Sequence, residues 1–128
     1  MPVKIFLNND GKSLVDASSE YLPLKSDGWW CKLLPADIDN DGEMELVTGK
    51  RYRAHNGGDP GADDFLGLYY FKWNGGSFTK NIISYGPFGE GKGLGLYFAI
   101  EDLDGSGWKD IVVAGKDGLC VFYNLGNK

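Results

Sequence analysis

The chain has 128 residues, which is enough for one domain with a hydrophobic core and too short for two. Its 18 acidic and 13 basic residues give a formal net charge of −5, which argues against binding to nucleic-acid phosphates. No apolar segment approaches the roughly 18–20 residues of a membrane helix, and residues 1–7 lack the apolar core of a signal peptide, so neither membrane insertion nor a signal peptide is predicted.

Short apolar segments dominate the pattern, and helical periodicity is almost absent. Apolar positions at i, i+3, i+4 and i+7 are always interrupted by Gly or Pro. The segments are rich in Val, Ile, Leu and aromatic residues and are bounded by Gly, Asn, Asp or Ser, which is typical of strands joined by turns. This predicts an all-β protein. The predicted strands are 3–7, 14–17, 29–36, 45–48, 66–73, 78–83, 94–100, 110–114 and 119–123.

An internal repeat organises these strands. Residues 37–45 read DIDNDGEME, residues 102–110 read DLDGSGWKD, and an apolar strand follows each. A repeat that holds about four short strands is typical of a propeller blade. The sequence therefore predicts a single all-β unit over residues 1–128, built from β-propeller blades of four antiparallel strands. Repeat 1 covers about residues 3–64 and repeat 2 about residues 65–128, with one acidic loop in each.

Two blades are too few for a closed ring, because propellers usually contain about four to eight. The chain is therefore expected either to close a propeller by oligomerisation of several copies or to belong to a longer propeller. A two-sheet sandwich of nine strands is the remaining architecture.

The two acidic loops have the pattern of a hard-cation site. Oxygen-bearing side chains stand at loop positions 1, 3, 5 and 9, Gly at position 6 permits a sharp turn, and position 7 adds a backbone carbonyl. The pattern predicts about two Ca²⁺ ions per chain, with Mg²⁺ as the alternative. Because Ser106 replaces the carboxylate of Asp41, the second loop is expected to bind more weakly. The predicted ligands are Asp37, Asp39, Asp41, Glu43, Glu45, Asp102, Asp104, Ser106, Trp108 and Asp110.

An EF-hand and a plain hairpin turn have similar sequence patterns. An EF-hand needs a bidentate Glu at position 12 between two helices, whereas Thr48 and Val113 occupy that position in predicted strands. Asp, Asn and Gly also favour tight turns without a metal, but two loops with the same ligand positions favour metal binding. In a turn between strands, the ion is expected to lock the loop.

The acidic loops, the apolar strand at 110–114 and the segment LCVFYN at 119–124 together resemble the FG-GAP or VCBS repeat of integrin-like β-propellers. The resemblance covers nearly the whole chain and implies a calcium-binding propeller with four-stranded blades. It also implies that the parent protein works in an extracellular or periplasmic setting. The calcium ligands that it implies are Asp37, Asp39, Asp41 and Glu45 in one loop and Asp102, Asp104, Ser106 and Asp110 in the other.

The loop at residues 50–64 gathers three Lys or Arg residues and the single His of the chain directly after a strand. Cations and an imidazole at a strand end are suited to hold an anionic or sugar-like ligand or to move a proton. The loop more distantly resembles propeller segments of aldos-2-ulose dehydratases, which process sugars. The alternative is a solvated loop without chemistry. The candidate catalytic residues are Arg51, Arg53, His55 and Asp59.

These features favour a calcium-binding β-propeller repeat module that recognises a carbohydrate or protein ligand. The alternative is a lyase or dehydratase that acts on sugar derivatives through the 50–64 loop, and a third interpretation is a structural propeller piece that self-assembles. No nucleic-acid partner is expected. Cys31 and Cys120 are too few for a dense disulfide framework; they are either small apolar strand residues or one disulfide, and the sequence leaves open whether they are free.

Overall fold

The structure, a computed structural model, describes residues 4–21, 30–53, 55–59 and 61–126, with the backbone alone for Trp30 and Cys31. This part contains nine strands, one four-residue helix, α1 (Ser18–Tyr21), and one 3-10 turn at His55–Gly57. Every strand pairs antiparallel with its neighbours in the sheets, so the all-β prediction is confirmed. The strands are β1 (Phe6–Asn9), β2 (Ser13–Asp16), β3 (Trp30–Ala36), β4 (Glu45–Lys50), β5 (Leu66–Trp73), β6 (Phe78–Gly86), β7 (Phe98–Glu101), β8 (Asp110–Gly115) and β9 (Gly118–Phe122).

The strands form three separate sheets along the chain. β1 and β2 form a hairpin, β3, β4, β5 and β6 form a four-stranded meander in chain order, and β7, β8 and β9 form a three-stranded meander. Within the described ranges these sheets do not close into a ring. The acidic loops occupy equivalent places, because one joins β3 to β4 and the other joins β7 to β8.

Several predicted strand boundaries are wrong: β4 runs to Lys50 and β6 to Gly86, beyond the predicted ends at 48 and 83, and β1 and β7 also differ. β1 runs to Asn9 because the turn lies at Asp10 and Gly11, whose φ values of 51° and 73° are typical of tight hairpin turns. β7 starts at Phe98 rather than at residue 94, because the N–H of Leu94 donates to the carbonyl of Lys50 at 3.1 Å and ties this segment to the end of β4. The predicted strand starts at residues 3 and 29 lie outside the described residues.

The short helix α1 is absent from the sequence prediction. Its first turn is capped by the Asp16 carboxylate, which accepts a hydrogen bond from the N–H of Ser18 at 3.0 Å. The Ser18 hydroxyl in turn accepts one from the N–H of Ile5 at 2.9 Å. Tyr21 packs against Trp73 with ring centroids 5.4 Å apart, so α1 links the first hairpin to β5.

One hydrophobic cluster joins the four-stranded and three-stranded sheets. The middle strands β4 and β5 contribute residues with no exposure, β7 and β8 contribute further buried residues, and Leu94 comes from the segment before β7. The two sheets therefore share a core, which fixes the position of one acidic loop relative to the other. The buried members of the cluster are Val47, Leu68, Leu94, Phe98, Ile111 and Val113.

Two further sequence expectations concern the cysteines and the membrane. Cys120 lies half-buried in β9 and forms no disulfide with any described residue, whereas the side chain of Cys31 lies outside the described residues. No helix in the described ranges combines the length and apolar character needed to cross a bilayer.

Candidate metal centre

The first acidic loop, residues 37–45, is folded around the carboxylate of Asp37. Asp37 Oδ1 accepts a hydrogen bond from the N–H of Asp41 at 3.1 Å, and Oδ2 accepts one from the N–H of Gly42 at 3.0 Å. Asn40 and Gly42 have φ values of 55° and 90°, a region in which Asn and Gly cost little. Local turn chemistry thus curls the chain so that alternate side chains point to one centre.

Glu45 closes the base of this loop from the first position of β4. Its side chain is almost completely buried, and its Oε2 accepts a hydrogen bond from the N–H of Ile38 at 2.8 Å. A buried carboxylate needs such partners, because burial of an uncompensated charge is costly. Glu45 therefore ties the start of the loop to its end.

The second acidic loop, residues 102–110, repeats these bonds position by position. Asp102 accepts from the N–H of Ser106 at 3.0 Å and from that of Gly107 at 2.8 Å. Asp110 is completely buried and accepts from the N–H of Leu103 at 2.9 Å. The two loops thus have the same internal architecture, although Ser106 stands where the first loop has Asp41.

Three carboxylates converge in each loop. Asp37, Asp39 and Glu45 each offer one oxygen, and these oxygens lie within 4.8 Å of one another. Two oxygens about 2.4 Å from one Ca²⁺ are at most about 4.8 Å apart, so this spacing is compatible with a single ion and the group could hold a metal. Asp39 Oδ1 is buried and accepts no hydrogen bond from the described residues, which leaves an acceptor that a cation would satisfy. The second loop brings together Asp102, Asp104 and Asp110 with the same spacing.

The remaining predicted ligands lie in the same loops but outside these groups of three. The backbone N–H of Glu43 donates to Asp41 Oδ1 at 2.9 Å, and the backbone N–H of Trp108 donates to Ser106 Oγ at 3.3 Å. These bonds hold position 7 of each loop close to position 5. The hydroxyl and the N–H of Ser106 hold the pKa of Asp104 below its usual range.

A lysine that the sequence analysis did not single out contacts the first loop. Lys72 Nζ donates to Asp39 Oδ2, lies 2.6 Å from Asp41 Oδ2 and lies 3.8 Å from Glu45 Oε1. Asp39 and then Asp41 hold the pKa of Lys72 well above its usual range, and Lys72, followed by the N–H of Glu43, holds the pKa of Asp41 below its own. The first loop thus carries its own ammonium group.

The two acidic loops also contact each other. Asn40 Nδ2 of the first loop donates to the carbonyl of Gly107 in the second at 3.1 Å. Asn124, just after β9, donates from Nδ2 to the carbonyl of Ile38 at 2.7 Å and from its N–H to Asp110 Oδ1 at 2.8 Å. Asn124 therefore bridges the bases of both loops. In the sequence, the one feature that singles it out is its place at the end of the LCVFYN segment.

The 50–64 loop lies at the opposite end of β4 from the first acidic loop. His55 Nδ1 lies 2.8 Å from Asp59 Oδ1, and the side chain of Asp59 is 8% exposed. Lys50 pairs with Asp64 at 3.4 Å, whereas Arg53 lies 3.6 Å from the exposed Asp63. The structure thus brings two of the four candidate catalytic residues together.

A cavity of about 530 Å³ opens beside this loop. Arg51, Tyr52 and His55 form one wall, and residues 93–96 and 114–117 form the others. Gly95 is required there, because a Cβ on it would lie 2.3 Å from the carbonyl oxygen of Ala114. Arg51 and His55 therefore share a cavity, while Arg53 contributes its carbonyl to Lys116 at 2.7 Å.

Fold and site together define an all-β protein with two matched acidic loops that could each hold a metal ion. Comparison with protein-family models finds no match, and comparisons with curated proteins and with solved structures find none either.

Proposed function

We propose that this chain is a calcium-binding β-propeller repeat module that acts in recognition of a carbohydrate or protein ligand. One observation carries the proposal: two loops in equivalent places fold through equivalent hydrogen bonds, and each brings three carboxylate oxygens within 4.8 Å of one another. Turn chemistry alone explains the bonds to the backbone. It does not explain why charged oxygens converge twice. Their mutual repulsion favours a cation, Lys72 compensates the first loop only in part, and no Lys or Arg of the described residues pairs with the second.

The bound ion would cross-link the two ends of each turn. Asp37, Asp39 and Glu45 would hold it in the first loop, and the equivalent set would hold it in the second. The chain's own residues already order the backbone around each centre, so little loop entropy remains to be lost on binding. This supports a structural role for the ion, in which it reinforces a turn that folding has already formed.

The propeller architecture is supported by the four-stranded meander from β3 to β6, which has the strand order of one blade. The three-stranded sheet carries its acidic loop at the connection between its first and second strands, which is where the four-stranded sheet carries its own. We infer that further blades come from other copies of the chain or from a longer propeller. Recognition would use the 50–64 loop and its cavity, in an extracellular or periplasmic setting.

Native mass spectrometry in calcium and after chelation tests the metal assignment and counts the subunits at the same time. The wild-type chain should carry up to two calcium ions, and the double variant Asp39→Asn, Asp104→Asn should carry none. These two aspartates are ligands in each loop but hold less of the backbone than Asp37 and Asp102, so the variant should fold.

The matched control is the double variant Asp10→Asn, Asp63→Asn, which removes the same charge outside the acidic loops. Asp63 is exposed, and Asp10 has a φ of 51°, which Asn tolerates. It should retain the wild-type calcium content. A wild-type chain that carries no calcium, or a loop variant that carries as much as the control, would contradict the proposal.

The His55 and Asp59 pair supports a second candidate, a lyase or dehydratase for acidic sugars. Asp59 holds His55 Nδ1 at 2.8 Å and His55 lines the cavity, so its imidazole is placed to move a proton there. In such an elimination, His55 would take the proton next to the sugar carboxylate, and the electron pair would form the C=C bond. The protonated His55 would then return this proton to the leaving oxygen, which departs as alcohol or water.

The enzyme hypothesis predicts that the wild-type chain forms unsaturated products from uronate oligosaccharides and that His55→Ala abolishes this activity. Calcium content should stay unchanged in the variant, because the 50–64 loop lies at the opposite end of β4 from the first acidic loop, and circular dichroism checks that the variant is folded. Ultraviolet absorbance of the unsaturated sugar measures the reaction. Equal rates for both proteins, or no product from the wild type, would exclude this candidate.

A further inference from the structure

Lys72 distinguishes the two acidic loops. β4 and β5 pair Leu46 with Phe71, so Lys72 stands opposite Glu45 at the base of the first loop. From there its Nζ reaches Asp39, Asp41 and Glu45. The ammonium thus lies among the carboxylates that a divalent cation would contact.

The second loop has a tyrosine at the equivalent position. β8 and β9 pair Ile111 with Phe122, so Tyr123 stands opposite Asp110. Its side chain is mostly exposed and has no charge to offer. Across the described ranges, no Lys or Arg nitrogen comes within ion-pair distance, 4.0 Å, of Asp102, Asp104 or Asp110.

We propose that Lys72 is the intrinsic cation of the first loop and makes the two loops unequal, so that the second loop binds a divalent cation first. This inference rests on the proposed calcium-binding function. It reverses the order expected from composition, in which the first loop has four carboxylates at ligand positions and the second has Ser106 in place of one. Composition alone misses a cation that comes from another strand.

Competition follows from the positions of the charges. A divalent ion in contact with Asp39 and Glu45 would lie within a few ångströms of Lys72 Nζ, where two positive charges repel strongly. The ion must therefore displace the ammonium. Lys72 is 31% exposed, so its side chain has room to move towards solvent. The first loop thus exchanges an internal cation for an external one, whereas the second binds without that exchange.

The contacts of Lys72 are incomplete, which leaves the first loop able to accept the exchange. The ammonium bonds to Asp39 Oδ2, while the buried Oδ1 of the same carboxylate has no hydrogen-bond partner among the described residues. A divalent ion can contact oxygens that one ammonium cannot reach. At high calcium both loops should fill, and at low calcium only the second should.

Isothermal titration with calcium chloride tests the inequality. The wild type should show one tighter site and one site weaker by about tenfold or more, because a charge-assisted interaction must be broken at the weaker site. Asp104→Asn should remove the tighter site, and Asp39→Asn should remove the weaker one. In Lys72→Met the weaker site should tighten by about tenfold or more.

Lys80→Met is the matched control, because it removes the same charge from β6, where Lys80 pairs with Phe71 beside Lys72. It should leave both affinities unchanged. Lys72→Gln serves as a second variant if Lys72→Met does not give a native circular dichroism spectrum, and it should show the same tightening.

The outcomes separate this inference from the proposed function. Two calcium sites of equal affinity that neither Lys72 variant alters would overturn the role of Lys72 and leave calcium binding intact. Removal of the tighter site by Asp39→Asn would likewise overturn the role of Lys72 and leave calcium binding intact. No calcium binding by the wild type and the Lys72 variants would overturn the proposed function itself, and the inference with it.

Discussion

Asp110→Ala should lower the free energy of unfolding by about 2–5 kcal/mol, because each hydrogen bond lost from a charged acceptor costs about 1–3 kcal/mol. Asp110 is completely buried, and its oxygens accept from the N–H of Leu103 at 2.9 Å and from that of Asn124 at 2.8 Å. Alanine would leave both N–H groups without an acceptor. Urea denaturation followed by tryptophan fluorescence, in the presence of a chelator, measures this loss without any contribution from bound calcium.

Asp104→Ala is the matched control, because it removes the same charge from the same loop. Asp104 is exposed and accepts one backbone hydrogen bond, from Ser106 at 3.0 Å. Asp104→Ala should therefore lower the free energy of unfolding much less than Asp110→Ala does. Equal destabilisation by the two variants would show that the buried backbone bonds of Asp110 do not hold this loop.

The contacts of Asp110 show that position 9 of each loop has two roles. Asp110 joins the second loop to the segment after β9 and also belongs to the group of three converging carboxylates. Glu45 has the corresponding place but, among the described residues, accepts a backbone bond only from Ile38. The base of each loop is therefore a structural element before any ion binds, and an ion would add to an arrangement that folding has already formed.

The all-β class was predictable because the apolar segments are short and their boundaries are chemically distinct. β5 spans Leu66–Trp73 as predicted, since Gly and Asn follow it and the segment is continuously apolar or aromatic apart from Gly67 and Lys72. β7 is shorter than predicted because Leu94 bonds to Lys50 in another part of the chain. The spacing of apolar residues reflects the local sequence only. It does not show that an apolar segment will hydrogen-bond to the end of a distant strand.

The candidate site was predictable in its local part. The positions of Asp37, Asp39 and Glu45 follow from alternation along a tight loop, which the sequence shows directly. Lys72 and Asn124 were not predictable, because their contacts with the first loop depend on the register of β5 and on the packing of β9. Both residues are far from the first loop in the sequence, and neither a lysine nor an asparagine by itself indicates a metal site.

Leu68→Ala should lower the free energy of unfolding by about 2–5 kcal/mol, as expected when a fully buried leucine leaves a cavity. Leu68 has no exposure and belongs to the cluster that also contains Phe98 and Ile111. It therefore joins the four-stranded sheet to the three-stranded one. Urea denaturation in chelator measures the change, and a single transition with an unchanged slope would show that the sheets still unfold together.

Leu119→Ala is the control, since Leu119 is 73% exposed and its truncation should change stability by no more than about 0.5 kcal/mol. A similarly small effect of Leu68→Ala would contradict a shared core. The result bears on the acidic loops as well, because the contact of Asn40 with Gly107 joins loops that belong to different sheets. If the sheets are held by one core, that contact is set by packing, and each acidic loop meets its neighbour in a fixed position before either binds a cation.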